Sequence, residues 1–422
     1  PRPSHSNSVK GWKKAQAGLW IALLLSASAE GAPAPLPYGA RTRPYNAAST
    51  TIRGDLRSIG MAGATVGLAD SFIASYQNPA GLAMTLNGGG LLVSGNTFTD
   101  GHVQDPRAGL TTYDIGAYSS EYPWGCGVGF SNLYSEGTKY VLPTTGETAQ
   151  LAVYTREIRI SAARLFFNHR LSIGTSLILA QGAREIAFDP DPVTGTQSPG
   201  LGSYSYSMGA QVGLLFQFPK RWLLGLSATT PVSFADELNA SSAALPGFNQ
   251  HIIVPWKLNV GVGGIPNRTV RVGFGLYFMG LSPRAALVGD NDILVGETLT
   301  MQPRLGLYYR LVEFKELVLE IATGSYLEFP RRANLGPRIH WTGGAEAKPW
   351  VLNFGFAVDV ADNYTNYLVS IGVDVGKILQ KLDLIPMEWH PPYAGFFPNP
   401  FRIHDDGLAR PINPSWRKQG PD

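Results

Sequence analysis

Histidines, cysteines and glycine-rich loops are where catalysis or ligand chemistry would first show, and in this chain they are sparse and dispersed. The seven histidines, His5, His102, His169, His251, His340, His390 and His404, are scattered. His340 falls within a strand-like segment with no evident partner, and others fall in loops or tails. Nothing assembles the serine, histidine and acid of a hydrolytic triad. The single cysteine, Cys126, excludes an internal disulfide framework and a zinc-ribbon cage. Neither "GLGSYS" nor any other glycine run has the strand–turn–helix context of a phosphate cradle. No catalytic residue, metal ligand or cofactor is expected. What remains is a set of isolated charges, Glu157, Arg159, Lys257, Arg271, Arg304, Glu320, Asp359 and Asp374, set among small residues.

The elements that carry these charges alternate with a period of two. In Ser203–Phe218 the residues Tyr204, Tyr206, Met208, Ala210, Val212, Leu214, Phe216 and Phe218 share one face, while Ser203, Ser205, Ser207, Gly209, Gln211, Gly213, Leu215 and Gln217 share the other. Segments around Val270–Phe278, Leu352–Val360 and Val369–Val375 repeat the pattern. Such a run far exceeds the usual strand of about five or six residues. A soluble sandwich would set Lys, Glu and Thr opposite its apolar face. Here the opposite face is Gly, Ser, Ala and single charges, which suits a crowded or watery lumen, and the bulky face suits lipid. Composition agrees: charged residues are 15% of the 422, glycines number 49, aromatics are 11% and the net charge is only +3. That balance gives no basis for nucleic-acid binding. Cys126 shares the outward parity of Trp124, Val128 and Phe130, which makes it a small lipid-facing hydrophobe.

Fourteen candidate strands run from about Gly88 to Gly376, a transmembrane antiparallel β-barrel. Long connections near 99–110, 137–149, 188–202, 236–252, 280–297 and 329–336 alternate with short turns, the usual asymmetry between outer loops and periplasmic turns. Trp124, Trp222, Trp256 and Trp350 near segment ends suit interfacial girdles. Ahead of the strands, Lys10, Lys13 and Lys14, the apolar run "AGLWIALLL" and Ala27-x-Ala29 read as a signal peptide over 1–29. An even strand count then predicts an outer-membrane location with both termini in the periplasm.

Residues 30–87 lack strand alternation. They hold a glycine-rich turn, a short helix and the stop Asn78-Pro79-Ala80-Gly81. A compact segment of small residues is expected to fold back as a plug inside a lumen too wide for side chains alone to fill; a free periplasmic arm is the other reading. The pattern Arg57-Ser-Ile-Gly60-Met-Ala-Gly63, then Asp70, then Asn78-Pro79-Ala80-Gly81 resembles the N-terminal hatch of the FadL family of outer-membrane long-chain fatty acid transporters, whose superfamily includes PorV-type secretion proteins. The resemblance implies a hatch inside a barrel of fourteen strands (88–378), with hydrophobic substrate entering from outside and leaving sideways as the hatch shifts. It implies that Asn78 bonds hatch or wall backbone and that Pro79 sets the turn. It identifies no substrate-binding residue.

Two features depart from the transporter pattern. A proline- and aromatic-rich extension, 379–422, follows the last strand and is expected in the periplasm, where it packs under the barrel, binds a protein partner or extends loosely. The inward charges make a wholly greasy conduit unexpected; they are expected to pair and to hold the plug through Arg57 or Asp70, with an aqueous selectivity ring as the alternative. Two functions follow. The first is passive uptake of a hydrophobic small molecule such as a long-chain fatty acid. The second is a plugged, PorV-like barrel that docks envelope proteins through its loops and tail. Outer-membrane lipid is a partner of either.

Overall fold

The computed structural model describes residues 52–84 and 89–382 except 101–109, 122, 142–147, 168–169, 189–200, 219–221, 235–251, 268, 282–285, 288–289, 295–298, 315–316, 330–335 and 363, together with 401–403 and 409–411. The expected signal peptide (1–29), the first part of the expected plug (30–51) and nearly all of the expected extension lie outside the described residues. Among the described residues no helix is long and apolar enough to cross a membrane.

Period-two alternation becomes a closed antiparallel barrel. Its strands are β1 (Gly89–Asp100), β2 (Leu110–Glu121), β3 (Trp124–Val141), β4 (Thr148–Phe166), β5 (Leu171–Phe188), β6 (Leu201–Phe218), β7 (Trp222–Thr229), β10 (Lys257–Gly264), β11 (Val270–Met279), β14 (Thr300–Phe314), β15 (Leu317–Glu328), β16 (Arg338–Pro349), β17 (Leu352–Ala361) and β18 (Tyr364–Asp374). Each pairs with its neighbour in the chain, and β1 closes the ring on β18, from Gly90 opposite Asp374 to Asp100 opposite Tyr364. Closure leaves no wall edge for the whole strand set. The expected count of fourteen is met.

The long connections carry structure that alternation did not signal. β8 (Val232–Phe234) and β9 (Ile252–Val254) pair as a ribbon, as do β12 (Ala286–Leu287) and β13 (Asp290–Leu294); in the extension after the barrel, β19 (Phe401–Ile403) and β20 (Ala409–Pro411) also pair. Val232 and Phe234 of the first ribbon pack over the inner faces of Gly209 and Gly182. The wall is also uneven. β6 pairs β7 only over Gln211–Phe218, so its first residues, from Leu201, rise beyond β7.

Outer and inner faces are as different as the parity implies. Val128, Ile160, Met208, Phe274, Leu305 and Val369 are among the large apolar side chains left exposed outward. Inside lies the hatch: α1 (Leu56–Gly60), α2 (Ala74–Gln77) and α3 (Gly81–Met84) joined by turns. Asp55 caps α1, its Oδ1 accepting from Ser58 N at 2.9 Å. The chain then reverses through Ala62 and Gly63, both at positive φ, where glycine carries no Cβ penalty. Leu56, Ile59, Met61, Phe72 and Leu82 are fully buried between hatch and wall, each contributing roughly 1.5–3 kcal/mol of apolar burial. A last helix, α4 (Val375–Lys381), follows β18.

Candidate functional site

The junction between hatch and wall is built from backbone that only glycine admits and from neutral side chains that tie it down. A Cβ on Gly174 would meet the backbone of Pro79 and Ala80, one on Gly213 would meet Asn78, and one on Gly273 would meet the Ala64 carbonyl. The hatch main chain therefore lies directly on the strands. Asn78, fully buried, donates from Nδ2 to Val66 O and to Leu214 O, both at 3.0 Å, so one amide clamps hatch to hatch and hatch to β6. Ser172 Oγ donates to Ala80 O at 2.6 Å, Gln211 Nε2 to Tyr76 O at 3.0 Å, and Thr342 Oγ1 to Gly60 O at 2.8 Å. Arg53 Nη1 reaches Ser131 Oγ at 2.8 Å.

The charges singled out from the sequence pair mostly along the wall, and Arg271 also acts on the hatch carboxyl of Asp70. Arg57 and Asp70 pair with each other inside the hatch at 2.6 Å, and Arg57 also reaches Asp55 at 3.4 Å. Burial pushes the Asp70 carboxyl up to about 6, with Arg57 opposing the shift; among the described residues its Oδ2 has no hydrogen-bond partner. On the wall, Glu157 pairs with Arg159 at 3.0 Å. Glu320 gathers Arg310 at 3.1 Å, Lys348 and the Tyr308 hydroxyl. Arg271 lies over the Tyr308 ring, 5.6 Å from its centre, and Arg304 over Tyr277 at 4.3 Å. Asp374 caps α4, accepting from Lys377 N at 3.0 Å. These pairs run along the wall, whereas the hydrogen bonds that join plug to wall come chiefly from neutral groups. The geometric reason is reach: hatch backbone seated on wall glycines brings carbonyls, not carboxylates, within bonding distance.

His340 also differs from its reading as a residue without a partner. Its Nδ1 lies 2.9 Å from Asp359 Oδ1 and its Nε2 lies 3.1 Å from Glu328 Oε2, with the ring stacked on Tyr326 at 4.2 Å. Arg338 shares Glu328 at 2.7 Å. These partners come from β15 and β17, on either side of β16, so only strand register could reveal them.

Beside the hatch, on the side of the long connections, is a cavity of about 110 Å³. The hatch contributes Arg53, Tyr76 and Gln77, the wall Glu157, Arg159, Lys257 and Arg304, and the β8–β9 ribbon Val254. Four cations against one carboxylate make its lining basic. Arg159 holds the site together: Nη1 donates to Gln211 Oε1 at 2.8 Å and the guanidinium lies 4.8 Å from the Tyr76 ring centre. Arg53, Tyr76 and Gln211 were not picked out from the sequence, because nothing in their local pattern separates them from ordinary plug or wall residues. Among the described residues no group of three or more His, Cys, Asp or Glu could hold a metal ion.

No protein-family profile matches the sequence and no curated protein matches it. Solved structures do. The CymD monoaromatic hydrocarbon channel is similar at a TM-score of 0.53 and 14% identity, over 77% of this chain and 97% of that one. A Pseudomonas aeruginosa FadL homologue is similar at 0.53 and 13%, over 76% and 97%. The P. putida toluene transporter TodX follows at 0.52 and 12%, over 76% and 99%. With fourteen antiparallel strands closed around an N-terminal hatch, the chain has the fold of the FadL-type barrels.

Proposed function

We propose that this barrel sits in the outer membrane, with its short turns and both termini on the periplasmic side, and lets hydrophobic small molecules cross passively. The observation that carries this reading is the basic cavity between hatch and wall. Four cations beside apolar and aromatic surface suit an amphiphile with an anionic head, such as a long-chain fatty acid, better than a neutral hydrocarbon. Ligand pockets for drug-sized molecules hold roughly 300–1,000 Å³. A cavity of about 110 Å³ accommodates a head group but no long chain. Passage of such a cargo therefore requires the hatch or the β8–β9 ribbon to move, and the hatch is the gate.

The dense pinning of the hatch favours a second reading, a stationary plug in a barrel that docks other envelope proteins through its loops and the 379–422 extension. Proteoliposomes carrying the full chain separate the two. Uptake of a labelled long-chain fatty acid above empty vesicles, reduced severalfold by Arg159→Gln, supports transport. Background uptake, together with a stoichiometric protein that co-purifies with the native barrel and is lost on deleting 379–422, supports docking.

A further inference from the structure

The outer face of β3–β6 is laid out in rows fixed by register, and two of those rows carry arginine. At the short-turn end, Trp124, Arg164, Ile173 and Leu214 lie side by side. Arg164 stacks over Trp124 and Phe166, 4.8 and 5.2 Å from the ring centres. The intervening rows are apolar or small; one is Phe130, Ile158, Leu179 and Met208. The row beyond it is Asn132, Arg156, Gln181 and Tyr206, polar from end to end.

The spacing identifies what this second row meets. Arg156 and Arg164 are eight positions apart on β4. At about 3.3 Å per residue and a tilt of about 40° the height between them is about 20 Å, close to the ~25 Å apolar band of such barrels. An arginine on the lipid face is costly at mid-membrane and nearly free at the interface. The two arginines therefore bracket the hydrocarbon, and Arg156 stands at the leaflet on the long-connection side.

The hydrogen bonds of the row set its chemical preference. Arg156 Nε donates to Asn132 Oδ1 and its Nη1 to Gln181 Oε1, both at 3.4 Å, and Gln181 Nε2 donates to the Tyr206 hydroxyl at 2.9 Å. The amide oxygens are thus turned inward along the row. What faces outward is an exposed guanidinium and, 76% exposed, a tyrosine whose oxygen already accepts and whose proton is left to donate. A surface of donors suits an acceptor-only anion, and the anion at this depth is a lipid phosphate. We infer that Arg156, Gln181 and Tyr206 form a binding site for the phosphate of a lipid in the outer leaflet. The site fixes the depth of the barrel and is independent of any cargo in its lumen.

The test uses the full chain in detergent micelles and a photoactivatable phosphatidic acid, with labelled peptides mapped by mass spectrometry. Label is expected at the Arg156–Tyr206 row, about tenfold lower in Arg156→Gln, the scale of one charge-assisted hydrogen bond. Tyr206→Phe should lower it severalfold, Arg156→Lys should restore part of it, and Arg164→Gln should leave it unchanged. Heat-modifiable gel migration checks that each variant is a folded barrel, and Tyr206→Phe keeps the test open if Arg156→Gln is not. Unchanged label in the folded variants overturns the site. So does equal competition by diacylglycerol, which would mark a merely apolar surface, or competition by inorganic phosphate, which would mark a site for the free ion.

Discussion

Asn78 is the residue on which hatch and wall depend together. Replacing it with alanine strips a donor from Val66 O and from Leu214 O, and an unsatisfied buried group costs about 1–3 kcal/mol. Asn78→Ala should therefore loosen the hatch without opening the barrel. Hydrogen exchange should rise about tenfold or more across residues 66–84, since each 1.4 kcal/mol is about tenfold, with strand amides unchanged. Asp70 adds a dependence on pH. Its carboxyl titrates near 6 in the docked hatch, against 3.8 for the ordinary group. The docked state then binds the extra proton between those values, so its stabilisation is complete below 3.8 and is lost as pH rises through about 6. Hatch amides, corrected for intrinsic exchange, should be better protected at pH 4 than at pH 7, and Asp70→Asn should flatten the difference. An unchanged profile in the variant would remove Asp70 as the cause.

Among the elements, the glycines of the wall matter as much as the strands that carry them. A Cβ on Gly174 would collide with the Pro79–Ala80 backbone, and one on Gly213 with the Asn78 amide oxygen and the Pro79 ring. Gly213→Val should displace the hatch at a cost of about 1–3 kcal/mol, the usual scale of overpacking. Faster protease cleavage within 52–84, with normal barrel migration on gels, is the expected sign. These glycines explain what could be read in advance. Inward parity was visible because small residues and single charges alternate with bulky ones, which located Glu157, Arg159 and Arg304 on the inner face and gave the strand count. The ends of β3 and β4 were not visible. They run to Val141 and from Thr148, beyond the level of Arg156, where no hydrocarbon enforces an apolar face and the ladder persists without the pattern. The His340 cluster was hidden for another reason: Glu328 and Asp359 lie 12 and 19 positions away and meet it only through register. The hatch as a short non-strand segment with a proline–glycine stop was legible; its neutral clamps were not, because a carbonyl partner leaves no mark on composition.

For the whole molecule, the question is whether the hatch is a stopper or part of the core. The wall closes on itself without it, since all fourteen strands pair in one ring. Some of the inner charges are also matched within the wall, Glu157 with Arg159 and Glu320 with Arg310 and Lys348. Against this, Leu165, Leu215, Leu223 and Leu368 point inward and are buried in the same cluster as the hatch, so removing it wets four leucines at roughly 1.5–3 kcal/mol each. That loss is modest beside a closed ladder of backbone bonds. Deleting 52–84 should therefore leave a heat-modifiable barrel whose lumen, lined mainly by glycine, serine and paired charges, fills with water. In planar bilayers the deletion should conduct as a wide pore, whereas the intact chain should pass little current. A deletion that no longer assembles would make the hatch a folding core, and a gate that slides out of its own core during passage would then be excluded, leaving displacement of the β8–β9 ribbon as the way to enlarge the cavity.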